Sequence, residues 1–333
     1  MNKVDNGNGL EMAYLDAGRG DDVVLLLHGF PEIAYSWRCV IPILTQAGYR
    51  VIAPDQRGYG ETTGWPSGYD VDLEPYSFKN LVDDALGLLN ALNIPSVAAV
   101  VGHDFGSPVA AWAASTRPDV FQRLVLMSSP FGVSTTNVFD VVAGLQPPRV
   151  HYHQYYATRT ADRDMRHPPQ GLHDFLRGYF HYKSGDHAAN LTRPLAEHEL
   201  DLLPTYYVME AGKTMPETVA AEMPAEPSNW LTDTDLAIYC REFERTGFQG
   251  GLNWYRARLA GVDSAKPRGI RVPTAFIAGK HDWGVYQSPG SFESMQRTIC
   301  SDMRGVHLVD DAGHWVQQEQ PEITSTLLLN FLA

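Results

Sequence analysis

Short runs of aliphatic and β-branched residues with little polar alternation punctuate the first third of the chain. They are VVLLLH (23–28), YRVIAP (49–54) and VAAVVG (97–102), with RLVLMSS (123–129) close behind. Strands without alternation are those covered on both faces, so these runs predict the inner strands of a sheet. Between the second and third runs, Phe78, Leu81, Val82, Ala85, Leu86, Leu89 and Leu92 recur at helical spacing behind Ser77, a fitting N-cap. The pattern resumes at VPTAFIAG (272–279) and VHLVD (306–310), and a closing helix is expected from about Pro321. Strand–helix alternation of this kind predicts an α/β fold, a mostly parallel central sheet flanked by helices.

The interval breaks the pattern. Residues 134–267 are rich in His, Tyr, Pro and Trp, show helical stretches and lack good strands. We read them as a helical cap domain inserted into a core domain formed by residues 1–133 and 268–333, an arrangement that suits 333 residues. A chain that is 44% apolar and 20% charged is ordinary globular material. Its 26 Lys and Arg against 39 Asp and Glu give a net charge of −13 with no basic run, which argues against nucleic acid and anionic membrane surfaces as partners. No apolar run reaches membrane-spanning length. The first residues lack the apolar stretch of a signal peptide, and Cys39, Cys240 and Cys300 are an odd, scattered set, so a cytoplasmic protein without disulfides is expected. Monomer and homodimer both remain open.

One strand leads into chemistry. VVGHDFGSP (100–108) ends a β-branched run in Gly102, sets Asp104 between Gly102 and Gly106, and continues into small residues. The spacing G-x-D-x-G is that of a nucleophile elbow, the sharp strand-to-helix turn that holds a nucleophile above the carboxyl edge of a sheet. Pro108 fits the first turn of the following helix, where an amide hydrogen would have no partner. Asp104 is then expected near the positive end of that helix, whose field favours the carboxylate. Serine usually holds this position and attacks acyl carbons. A carboxylate instead attacks an sp³ carbon bearing a leaving group and becomes an ester, which points to an epoxide or an alkyl halide.

Such a nucleophile needs a base and a residue that orients the base. His314 in DDAGHWVQQEQP follows the last predicted strand, and Asp282 in FIAGKHDWG follows the strand before it; His281 is read as a bystander. Nucleophile, acid, histidine is the chain order of α/β-hydrolases. The motifs HGFPEIAYSWR (28–38), DQRGYGETT (55–63), GHDFG (102–106), AGHW (312–315) and, most specifically, RTGFQGGLNWYR (245–256) resemble the soluble epoxide hydrolases of the α/β-hydrolase superfamily. The resemblance spans nearly the whole chain and is weakest in mid-cap. It implies the α/β-hydrolase fold with an inserted cap, Asp104 as nucleophile, Asp282 and His314 as charge-relay pair, and Tyr255 as ring-opening donor. It also implies an oxyanion hole of the Phe30 and Phe105 main-chain N–H groups and a cis Phe30–Pro31 bond.

The leaving group separates the candidates. An epoxide oxygen departs as an alkoxide and wants a neutral O–H donor of pKa about 10, which Tyr255 supplies; a halide wants N–H donors. HYHQYYATR (151–159) spaces Tyr152, Tyr155 and Tyr156 to share one helical face. Alignment with the family matches Tyr152 to the second donor tyrosine, while relatives that pair His with Tyr keep His153 open for that role. His153, Trp254 and Trp315 are candidate pocket residues. The alternative is a haloalkane or haloacid (fluoroacetate-type) dehalogenase with the same Asp-His-Asp machinery. It is weakened by Gln154 where that family has Trp, by Phe105 where both families have Trp, and by the lack of arginines after Asp104. A non-catalytic small-molecule receptor on a hydrolase scaffold is a third reading, disfavoured because nucleophile, base, acid and donor are all present. The cap histidines (His151, His153, His167, His173, His181, His187) show no metal-ligand spacing, so neither metal nor cofactor is expected. The expected reaction is hydrolysis of a small-molecule epoxide to a vicinal diol, through an alkyl ester on Asp104 that His314-activated water clears.

Overall fold

The computed structural model describes residues 1–263 and 269–333; the expected cap boundary at 267/268 lies outside the described residues. The apolar runs form β3 (Val23–Leu27), β4 (Arg50–Pro54), β5 (Ala99–His103), β6 (Leu124–Met127), β9 (Thr274–Gly279) and β10 (Met303–Val309). An antiparallel hairpin, β1 (Asn2–Asp5) with β2 (Glu11–Ala17), precedes them, and β2 pairs antiparallel with β4. The eight-stranded sheet runs β1-β2-β4-β3-β5-β6-β9-β10, parallel from β4 onward.

Alternation within these strands is between two cores, not between core and water. Val24, Leu26, Val101 and Val125 face α1 (Val40–Gln46) and α13 (Pro321–Leu332), while Leu25, Leu27, Val100 and Leu124 face α2 (Phe78–Ala91) and α3 (Gly106–Thr116). Both faces are covered, so apolar residues were required at every position. Ser77 caps α2 as its sequence suggests, accepting the Asn80 N–H.

The interval between β6 and β9 holds α4 (Val138–Ala143), α5 (Tyr152–Tyr156), α6 (Ala161–Arg166), α7 (Leu172–Tyr182), α8 (Met215–Val219), α9 (Asp233–Thr246) and α10 (Gln249–Leu259). This inserted cap departs from the all-helical expectation at one place: β7 (Arg149–His151) pairs antiparallel with β8 (Val208–Glu210). Strands of three residues are too short to leave a periodic pattern. Two short helices, α11 (Ser291–Ser294) and α12 (Val316–Glu319), follow β9 and β10.

Cap and core share one hydrophobic cluster. Trp254 on α10 donates its indole N–H to the Arg57 carbonyl at 2.9 Å. Arg38 of the core holds Asp235 of α9 at 3.0 Å and donates to the Trp230 carbonyl and to Gln318. α10 is thereby laid across the loops that follow β3 and β5, with the Tyr255 ring 5.5 Å from Phe30 and 4.8 Å from Phe105.

Candidate active site

The elbow is built by the glycines its sequence supplies. Asp104 adopts φ 50°, a left-handed conformation that side chains rarely take. A Cβ on Gly102 would collide with the Gly106 carbonyl, and one on Gly106 with the Leu27 carbonyl, so the turn closes only when both are bare. Asp104 stands just ahead of α3, and its side chain is 14% exposed amid buried neighbours.

His314 reaches Asp104 from one side. Its Nε2 lies 3.1 Å from Asp104 Oδ2, and its Nδ1 lies 3.1 and 3.2 Å from the two oxygens of Asp282. Asp282 also accepts the Gly284 N–H at 2.7 Å, which fixes its carboxylate toward the ring. From the other side the Phe30 N–H donates to Asp104 Oδ1 at 2.9 Å, and the Phe30–Pro31 bond is cis. The Phe105 N–H, one residue past Asp104, makes no bond to that carboxylate. Burial opposes the charge on Asp104. The His314 hydrogen bond and charge, with the charges of Lys183 and His103, outweigh it and hold the carboxyl well below its usual range.

Opposite the carboxylate stands a wall of rings. Tyr255 sits 4.9 Å from His153, 4.9 Å from Tyr156 and 6.0 Å from Tyr152, centroid to centroid. Tyr152 donates to Gln287 at 3.3 Å, and Tyr156 pairs with Tyr179 at 2.9 Å. The three tyrosines of α5 do not share a face as their spacing suggested: Tyr152 and Tyr156 flank Tyr255, whereas the buried Tyr155 hydroxyl has no partner among the described residues. α5 is a single turn, too short for i+3 and i+4 positions to be equivalent. Burial raises the Tyr255 and Tyr152 phenols well above 10 and pushes His153 well below 6.5, so all three are neutral at ordinary pH.

A carboxylate on an elbow, a His–Asp pair and a neutral phenol opposite can now be set beside known proteins. The sequence profile of the alpha/beta hydrolase fold matches residues 22–321. Epoxide hydrolase B of Mycobacterium tuberculosis is 36% identical over 342 residues, covering 93% of this chain and 91% of that protein. Epoxide hydrolase A of the same organism is 34% identical, over 98% of this chain and 95% of that one. The chain belongs to the epoxide hydrolase family. Solved structures agree. An epoxide hydrolase from an endophytic Streptomyces superposes with TM-score 0.82 at 30% identity, covering 99% of this chain and 94% of that one. Potato (Solanum tuberosum) epoxide hydrolase I gives TM-score 0.76 at 29% identity, covering 98% and 96%.

The two tryptophans expected at the pocket are fully enclosed. Trp254 and Trp315 are at most 1% exposed, beside Phe105 and His314 respectively. Their indole N–H groups are spent on the carbonyls of Arg57 and Phe180, and Trp315 packs edge-on against His314 at 4.6 Å. His281 is turned away, bonded to the Asn190 carbonyl.

Residues that sequence reasoning missed support the His314 loop. Glu319 accepts N–H groups from Gly313 and Trp315, which flank His314, and from Gly185 of the cap, at 2.7–2.9 Å. Burial pushes its carboxyl up to about 7 against those three donors. Beneath the elbow, His103 bridges Glu32 at 2.6 Å and the His314 carbonyl at 2.7 Å, and Gln317 and Gln318 each donate to Glu32 at 3.0 Å. Glu32 lies in HGFPE and His103 in GHDFG, so both sat inside motifs already singled out; Glu319 carried no signal. Among the described residues no group of three or more His, Cys, Asp and Glu side chains gathers as a metal site, and no helix is long and apolar enough to cross a membrane.

Proposed function

We propose that the protein hydrolyses a small-molecule epoxide to a vicinal diol, with Asp104, His314, Asp282, Tyr255 and Tyr152 in named roles. One observation carries this: an accessible, ionised Asp104 bonded to His314 faces a buried, protonated Tyr255. Asp104 Oδ attacks a ring carbon, the carbon–oxygen bond of the ring breaks, and the departing oxygen takes the proton of Tyr255, with Tyr152 as second donor. Ester formation removes the negative charge that His314 Nε2 faced, so the imidazole can next take a proton from water. That water attacks Asp104 Cγ, and the oxyanion is met by the N–H groups of Phe30 and Phe105. Collapse returns the carboxylate and frees the diol; of the water's two protons, one ends on the diol and one restores Tyr255.

The halide alternative loses support from the tryptophans, whose N–H groups are already committed. We place the cap at 134–267 between the core segments 1–133 and 268–333. One chain supplies every group of the site, so a monomer or a homodimer would serve, and three free thiols suit the cytoplasm. A single turnover of styrene oxide in ¹⁸O-water tests the reaction. Label is expected in the Asp104 carboxylate while the first diol carries unlabelled oxygen. Label going directly into that diol would mean that water opens the ring itself.

A further inference from the structure

The reaction as written asks Tyr152 for an O–H bond to the departing oxygen, and the structure shows where that O–H rests. The hydroxyl donates to Oε1 of the half-buried Gln287 at 3.3 Å. The far side of the amide fixes its orientation. Nε2 donates to the Gly284 carbonyl at 3.4 Å, and a carbonyl only accepts, so the nitrogen faces Gly284 and the oxygen faces Tyr152. Gly284 in turn gives its N–H to Asp282. One loop, 282–287, thus carries the acid behind His314 at its start and the acceptor of the Tyr152 O–H at its end.

The Tyr152 ring does not depend on Gln287 for its place. Its main-chain N–H is held by the Tyr207 carbonyl at 3.0 Å, and its ring packs against His153 at 4.3 Å and Tyr207 at 5.2 Å. Gln287 therefore sets the direction of the O–H and little else. A phenol has one proton to point. An amide oxygen accepts it better than the oxygen of an intact epoxide does, whereas an alkoxide forming as the ring opens accepts it better than either. A bond of 3.3 Å is long for O–H to oxygen, so the forming alkoxide readily outbids it.

We infer that Gln287 is a positioning residue that reserves the Tyr152 O–H for the transition state of ring opening. The inference rests on the proposed epoxide reaction, with Tyr152 as its second donor, and deepens it. While the epoxide is intact the O–H stays with Gln287 Oε1. As the carbon–oxygen bond breaks it turns to the departing oxygen, which takes its proton from Tyr255 as before. A bond made only in the transition state speeds the step without tightening substrate binding.

Single turnovers of styrene oxide with the enzyme in excess give a half-saturating concentration and a maximal alkylation rate. Gln287→Met frees the O–H to bond the intact epoxide. The half-saturating concentration is expected to fall about threefold or more, with the maximal rate held within about threefold. Gln287→Glu offers a charged acceptor that holds the O–H harder, so the maximal rate is expected to fall about tenfold with no gain in binding. Both substitutions lose the bond to the Gly284 carbonyl, so the difference between them reads the acceptor alone. Both shifts should vanish when either substitution is combined with Tyr152→Phe. Equal effects of the two substitutions, or shifts that persist beside Tyr152→Phe, overturn the inference and leave the epoxide reaction standing. A parent that forms no ester on Asp104 overturns the reaction itself.

Discussion

In the proposed reaction Asp104 attacks only when ionised, and Tyr255 donates only when protonated. The structure moves their two titrations apart. The carboxylate is present above a depressed pKa and is lost only as pH falls through it; the phenol is present below a raised pKa and is lost only as pH rises through it. Single-turnover alkylation should therefore be flat from about pH 5 to about pH 9, measured by stopped flow under enzyme excess. An acid limb centred within that window would contradict the assignment of Asp104. Tyr255→Phe keeps the ring contacts with Phe105 and His153 and removes only the proton. Alkylation should slow on the order of 10²–10⁴-fold, softened to tens-fold if Tyr152 covers the loss. Tyr152→Phe should behave alike and Tyr155→Phe should be near silent. A crippled His153→Ala beside a harmless Tyr152→Phe would transfer the second role to the histidine.

The His314 loop is held as an element, and Glu319 is what ties it to α12 and the cap. Glutamine at 319 keeps one acceptor oxygen but turns an NH₂ toward N–H groups that need an acceptor. Above about pH 7, where the Glu319 carboxyl is ionised, Glu319→Gln should cost about 1.5–3 kcal/mol in thermal unfolding, the value of hydrogen bonds to a charged group. It should also slow ester hydrolysis more than alkylation, visible as alkylated protein by intact mass. Nothing in VQQEQP announced this role, because an isolated acid on a surface-like helix looks the same whether solvated or buried. The inner strands were legible for the opposite reason: burial on both faces demanded apolar residues throughout, and VVLLL or AVV can do little else. The β1–β2 hairpin was not, since β1 is almost fully exposed and β2 buries only part of its length. In the site, elbow, acid and histidine were readable from spacing and chain order. Glu32 and the enclosure of Trp254 and Trp315 depend on packing between elements far apart in sequence.

At the scale of the molecule, cap and core are joined by a few strong points, and Arg38 gathers several of them. It pairs with Asp235, 14% and 17% exposed, and donates to Trp230 and Gln318. Arg38→Met should lower stability by about 1–3 kcal/mol, less than for a fully sealed pair, checked by denaturant unfolding. KM should rise more than kcat falls if the loss loosens the cap over the pocket. The sheet beneath is interrupted where the cap enters: Met127 of β6 lies beside Ile277 of β9, 150 residues later. A ribosome therefore delivers Asp104, Phe30 and Tyr255 well before Asp282 and His314. Under the proposed reaction, the residues assigned to capture of the epoxide are all made before those assigned to its release, and the chain completes its sheet only as it gains the second set.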